Sequence, residues 1–112
     1  METMELRESE EYLIQILRHF DFLRRHHYDI QQLCIYGREP YIVFGSRHAK
    51  LYMDLGMTNV EFRKGNILME KKIDISEYAK KQHGIWLDSI SVIERIKNYS
   101  EFIKKYFDEL SR

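Results

Sequence analysis

The chain has 112 residues, 44% of them hydrophobic and 13% aromatic, and its eighteen basic side chains balance eighteen acidic ones. That length suits one hydrophobic core with little room for a second, so a single domain over residues 1–112 is expected and a disordered chain is not. Zero net charge excludes the overall positive field that steers proteins onto nucleic acid or anionic membranes, although a local basic patch stays open.

Cysteine usage points the same way. Cys34 has no partner in the chain, which excludes an internal disulfide and a multi-cysteine zinc site and suits a reducing compartment. The expected role of Cys34 is that of a small apolar strand residue. Residues 1–11 carry five glutamates and no apolar run, unlike a secretory signal, and no stretch is long and apolar enough to span a bilayer. The reading is a cytoplasmic protein that does not enter membranes.

In chain order, the first element is an amphipathic helix over about 3–27, with Leu6, Leu13, Ile16, Leu17, Phe20 and Leu23 on one stripe. Thr3 or Ser9 would cap its start, and Arg24, Arg25, His26 and His27 would complement its dipole at the far end. After Asp29 the period becomes two, and glycines and the only proline punctuate short β-rich runs. Residues 30–36 read as a first strand and 41–44 as a second, apolar on both sides and therefore internal. In 49–55, Leu51, Met53 and Leu55 alternate with Lys50, Tyr52 and Asp54; Val60 and Phe62 alternate with Glu61 and Arg63 in the next strand. Lys64, Gly65 and Asn66 supply a hairpin turn into a weaker fifth strand, 67–72.

Helical signals then return. Asp74 or Ser76 would cap a short helix ending at Gly84, the Ile85, Trp86, Leu87 triplet would plug the core, and Asp88 would cap the next helical segment. Ile90, Ile93, Ile96, Ile103, Phe107 and Leu110 form a stripe, widened by Phe102 and Tyr106, and residues 98–100 leave open whether one helix or two carry it. The predicted fold class is α+β: an N-terminal helix, a four- or five-stranded antiparallel meander, and two or three C-terminal helices packed on one sheet face. The opposite face would display Lys50, Tyr52, Asp54, Glu61 and Arg63.

Candidate chemistry is sparse. Among Arg18, His19, Asp21, Arg24, Arg25, His26 and His27, the histidines stand one, seven and eight apart, whereas metal ligands on one helix sit best three or four apart. Asp21 with Arg24 and Arg25 reads as a surface ion pair. No catalytic or metal site and no cofactor is expected; the glycines are too widely spaced for a phosphate loop. An enzyme reading would need His26, His27 and His48 to converge in a pocket. A nucleic-acid reading would place Arg24, Arg25, His26 and His27 on phosphates and stack bases on Phe20, Phe22 and Tyr28, with Phe20 already claimed by the buried stripe.

The uncovered sheet face is the remaining candidate, since tyrosine and arginine are enriched where proteins meet. Tyr36 or Tyr41 would extend it, and a plain solvated face is the competing explanation. The order of elements, the Trp-Leu-Asp-Ser-Ile stretch at 86–90 and the Tyr-Ser-Glu-Phe-Ile-Lys-Lys-Tyr stretch at 99–106 resemble small uncharacterised bacterial α+β proteins, some regarded as immunity proteins that neutralise a partner toxin. That resemblance implies a cytoplasmic binder with an exposed charged and aromatic face and assigns no functional residue; the expectation from the residues is a non-enzymatic module that binds a protein partner or a second copy of itself.

Overall fold

The computed structural model describes residues 6–65 and 68–112; Thr3, Asn66, Ile67 and the side chain of Leu6, to which the sequence assigns caps, a turn, a strand start and a stripe position, lie outside the described residues. Helix α1 is Leu6–His19, followed by a 3₁₀ helix, Asp21–His26. The strands are β1 (Asp29–Cys34), β2 (Tyr41–Gly45), β3 (Ala49–Asp54), β4 (Val60–Lys64) and β5 (Lys71–Asp74), and the closing helices are α2 (Ile75–His83), α3 (Val92–Lys105) and α4 (Phe107–Ser111). The sheet is five-stranded and antiparallel in the order β1-β2-β3-β4-β5. The α+β meander agrees with the sequence reading; several boundaries do not.

The first helix stops at His19, not His27. On a continuous α-helix Phe22 would point away from the stripe of Ile16, Phe20 and Leu23. The tighter 3₁₀ turn brings it in, so that Phe20, Phe22 and Leu23 are all buried, with Phe20 stacked on Phe44 at 6.2 Å between ring centroids. His27, in the left-handed conformation at φ 62°, ends the turn, with its N–H donating to the Arg24 carbonyl. The last turn of α1 therefore holds Arg18 and His19, and Arg24, Arg25 and His26 close the 3₁₀ helix instead. Ser9 lies buried inside α1 and is no cap, and Leu17, at the margin of the stripe, stays 40% exposed.

Strand β1 spans Asp29–Cys34 in place of 30–36, and a bulge interrupts it between Ile30 and Gln32. Ile30 opposes Phe44 and Leu33 opposes Ile42, both on the core face, while the intervening glutamines absorb the extra residue. The Gln31 amide lies where a Cβ on Gly45 would stand, so Gln31 overlies the far face of β2. Cys34 ends the strand half-buried, its thiol donating to the Tyr36 carbonyl, and is not a core residue. The fifth strand starts later than 67, at Lys71, with Leu68 and Met69 exposed in the hairpin.

The core is one layer between helices and sheet. In register across β2, β3 and β4 stand Ile42, Met53 and Val60, then Phe44, Leu51 and Phe62, all buried. Ile16 and Phe20, Ile75 and Ala79 of α2, Ile96, Tyr99 and Ile103 of α3, and Phe107 and Leu110 of α4 join them in one cluster. Asp74 caps α2, its carboxylate accepting from the Glu77 N–H at 3.0 Å, and Gly84 closes it. Ser91, not Asp88, caps α3 by accepting from the Glu94 N–H at 3.4 Å, the Ser-x-x-Glu pattern of a capping box. Asp88 instead lies 3.9 Å from Lys80.

Two expectations about the apolar C-terminal third fail. Between Gly84 and Ser89 the chain is neither helical nor paired and burial alternates, so Leu87 enters the core while Trp86 is 73% exposed, with the Lys80 ammonium 4.6 Å from its ring centroid. Ile90 precedes α3 and is fully exposed. Residues 98–100 do not break the helix: Asn98 donates to the Leu87 carbonyl, and the Ser100 hydroxyl donates to the Lys97 carbonyl. The break falls at Tyr106, leaving two helices.

A polar link ties α4 to α2. His83 Nε2 and Glu109 Oε2 are 2.6 Å apart, the Tyr78 hydroxyl bonds to Glu109, and His83 stacks on Tyr106 at 3.8 Å. Burial, then the bond to Glu109 and its charge, push the Tyr78 hydroxyl up to about 12. Bonds from His83 and Tyr78 hold Glu109 below the usual carboxylate range. An unfolded tyrosine ionises near 10, so the stability from Tyr78 is complete below about pH 10 and lost as pH rises toward the folded value. The Glu109 contribution has the opposite sense, present above the unfolded carboxylate value of about 4.3 and lost in acid. In alkaline denaturation Tyr78→Phe is expected to flatten the loss of stability between about pH 10 and 12. Burial of Tyr28 and Tyr99 leaves a remaining slope, and an unchanged slope would place the effect elsewhere.

Candidate functional site

Alternation within β3 and β4 forces the five expected residues onto the face opposite the core. Lys50 opposes Arg63 and Tyr52 opposes Glu61, with Asp54 one pleat further along β3 opposite Tyr41. Lys50 is exposed and the other four are half-buried. The helices pack on the other side of the sheet, where the buried cluster lies, so this face is covered by side chains of its own strands.

Tyr52 lies at its middle. Its ring packs on Tyr41 at 5.7 Å between centroids, and the Arg63 guanidinium sits 5.6 Å from the Tyr52 centroid. Val43, on the same face between its cross-strand neighbours Gln32 and Tyr52, is only 6% exposed. The Tyr52 hydroxyl is raised by burial first and by the Asp54 charge second, and so stays protonated at neutral pH. Arg63 donates through Nε and Nη2 to Glu61 Oε2, at 3.2 and 2.9 Å, and also lies 3.9 Å from Glu70. The result is an aromatic centre whose arginine is already oriented. Tyr36, by contrast, falls in the loop after β1 and adds nothing to the strand.

Asp54 belongs to this face but is occupied by the fold. Its carboxylate accepts from the Thr58 N–H at 2.9 Å, the Asn59 N–H at 2.6 Å and the Thr58 hydroxyl at 2.7 Å, closing the β3–β4 turn in which Met57 adopts φ 57°. That turn is gripped from behind by Arg95, which donates to the Gly56 carbonyl through Nε and Nη2 at 3.1 and 2.9 Å and also reaches the Ser89 carbonyl. Asp54→Ala is expected to cost about 2 kcal/mol in urea denaturation, and Asp54→Asn, which keeps an acceptor, less. Equal losses would mean the charge rather than the turn is what matters.

The other candidate residues stay apart. Arg24 is exposed and 3.7 Å from Asp21, Arg25 is exposed, and the ring of His26 stacks on Phe107 at 3.8 Å. Phe20, Phe22 and Tyr28, the rings a base-stacking surface would need, are in the core. A cavity beside the β2–β3 turn is lined by His48 and by neither His26 nor His27. Among the described residues no three His, Cys, Asp or Glu side chains gather as a metal site, and no helix is long and apolar enough to cross a membrane.

Sequence reasoning missed Arg95 and the exposure of Trp86. Arg95 offers no local signal because its Gly56 acceptor is distant in sequence, and the run Ile85, Trp86, Leu87 is apolar throughout, so the outward turn of Trp86 is visible only in the burial pattern of the structure. Comparison with protein-family models, with curated proteins and with solved structures finds no match for this chain.

Proposed function

We propose that the chain is a non-enzymatic protein-binding module whose uncovered sheet face docks a protein partner, with immunity-type inhibition of a toxin as the setting its resemblance suggests. The observation that carries the reading is Tyr52, held at the centre of a helix-free sheet face between Tyr41 and an Arg63 already oriented by Glu61. Ordering of rotamer-rich side chains is a large cost of association, and a tyrosine and an arginine fixed before contact have met part of it.

The test is capture of the products of neighbouring genes by the purified chain, followed by affinity measurement. Tyr52→Ala combined with Arg63→Glu is expected to weaken capture by at least about thirtyfold, the loss of one hot spot of about 2 kcal/mol. Undiminished capture by a folded double variant would move the interface off this face.

A further inference from the structure

The uncovered face is not evenly charged. At one end the β2–β3 turn and the β4–β5 hairpin enclose a cavity of about 510 Å³ whose charged lining is Arg47, His48, Lys50, Arg63, Lys64 and Glu70. The register sets cations directly against one another on this face, Lys50 opposite Arg63 and Arg63 opposite Lys72; one residue along, Lys64 opposes Lys71 on the reverse face, where the Lys64 ammonium donates to the Arg112 carbonyl. Like charges directly across an antiparallel ladder destabilise it, so this end of the sheet works against its own pairing. Burial, then the Lys71 charge, lower the Lys64 amine below the ordinary lysine range. Glu61 and Glu70 both lie on Arg63, and among the described residues no carboxylate pairs with Arg47, Lys50 or Lys72. On a chain of zero net charge, such a cluster is a local choice.

We infer that this basic pocket receives carboxylates from an acidic segment of the protein partner, two or more Asp or Glu side chains entering between the β2–β3 turn and the β4–β5 hairpin. The inference rests on the reading that the sheet face docks a protein. A phosphate backbone fits less well. On the next row of the same face Glu61 opposes Asp74, so a polyanion running along the strands would leave the cations and meet carboxylates.

The experiment uses the full chain and a fluorescein-labelled hexaglutamate peptide followed by anisotropy, with hexaglutamine, tripolyphosphate and a ten-nucleotide oligothymidylate as comparators. Hexaglutamate is expected to bind, to weaken several-fold between about 50 and 300 mM salt, and to lose about tenfold or more in affinity in Lys50→Glu/Lys72→Glu. Lys50→Gln/Lys72→Gln, which creates no new charge, should lose less, and thermal melts of both variants verify folding. Equal binding of hexaglutamine, an unchanged affinity in the folded variants, no binding, or tighter binding of tripolyphosphate or oligothymidylate would each overturn the inference. In the capture assay, loss with Tyr52→Ala/Arg63→Glu but not with Lys50→Glu/Lys72→Glu overturns the acidic-segment inference and leaves the docking reading intact. Capture indifferent to both pairs overturns the docking reading and, with it, the acidic-segment inference, whatever hexaglutamate does.

Discussion

Phe62→Ala is expected to destabilise the domain by about 3–5 kcal/mol, enough to unfold much of the population of a marginal protein. Phe62 is fully buried in β4, stands in register with Phe44 and Leu51 through β3, and meets Tyr28 and Phe107 at 6.5 and 6.3 Å between ring centroids. It therefore joins the sheet, the residue before β1 and α4 in one contact set. Phe62→Leu, which keeps most of the volume, should cost about 1.5 kcal/mol. Urea denaturation of the two variants checks the ordering; a small effect of Phe62→Ala would mean that the core collapses around the missing ring.

The second large effect is expected at Gly65, which ends β4 in the hairpin that carries Lys64 and Lys71. Its φ is +98°, and a Cβ added there would stand 2.4 Å from the Met69 carbonyl oxygen, a backbone atom that cannot move aside as a side-chain tip would. Gly65→Ala thus combines backbone strain with a steric clash, and a loss on the order of 3 kcal/mol is expected. Gly84→Ala is the matched control: φ is +64° with nothing within 4 Å of the added atom, so only the left-handed penalty of about 1 kcal/mol applies. Similar losses at both glycines would show that the hairpin yields without difficulty. Because Lys64 and Arg63 adjoin Gly65, the variant should also weaken whatever the basic end of the sheet binds.

Strands β3 and β4 are legible because each is half-buried, and half-burial writes an alternating pattern into the sequence. Neighbouring features break simple periods for identifiable reasons. Phe22 lies off the 3.6-residue stripe, and only a change to 3₁₀ winding makes it apolar in the right direction. Gln31 and Gln32 interrupt the alternation of β1, which is what a bulge looks like in sequence. Residue type alone assigns Trp86 to the core, whereas the burial of Leu87 requires its neighbour to turn outward. The face shared by Lys50, Tyr52, Asp54, Glu61 and Arg63 comes from alternation alone. The row of opposed cations requires register, a relation between strands that no single stretch contains. The tether of Asp54 to its own turn is closer to hand, since Asp with Thr and Asn four and five residues on is a pattern of local side-chain bonding.

Every strand pairs with its neighbour in sequence, yet α1 packs against α3, so the first and last long helices close the molecule on one another. The hairpins can form as local events, whereas the core face of the sheet acquires its cover only when distant parts of the chain meet. During synthesis, α1 emerges first and must wait with its apolar stripe unpaired until Val92–Lys105 has emerged. Premature termination between β5 and that helix would leave the core face of the sheet without α3 and α4, and Phe62 without its contact to Phe107.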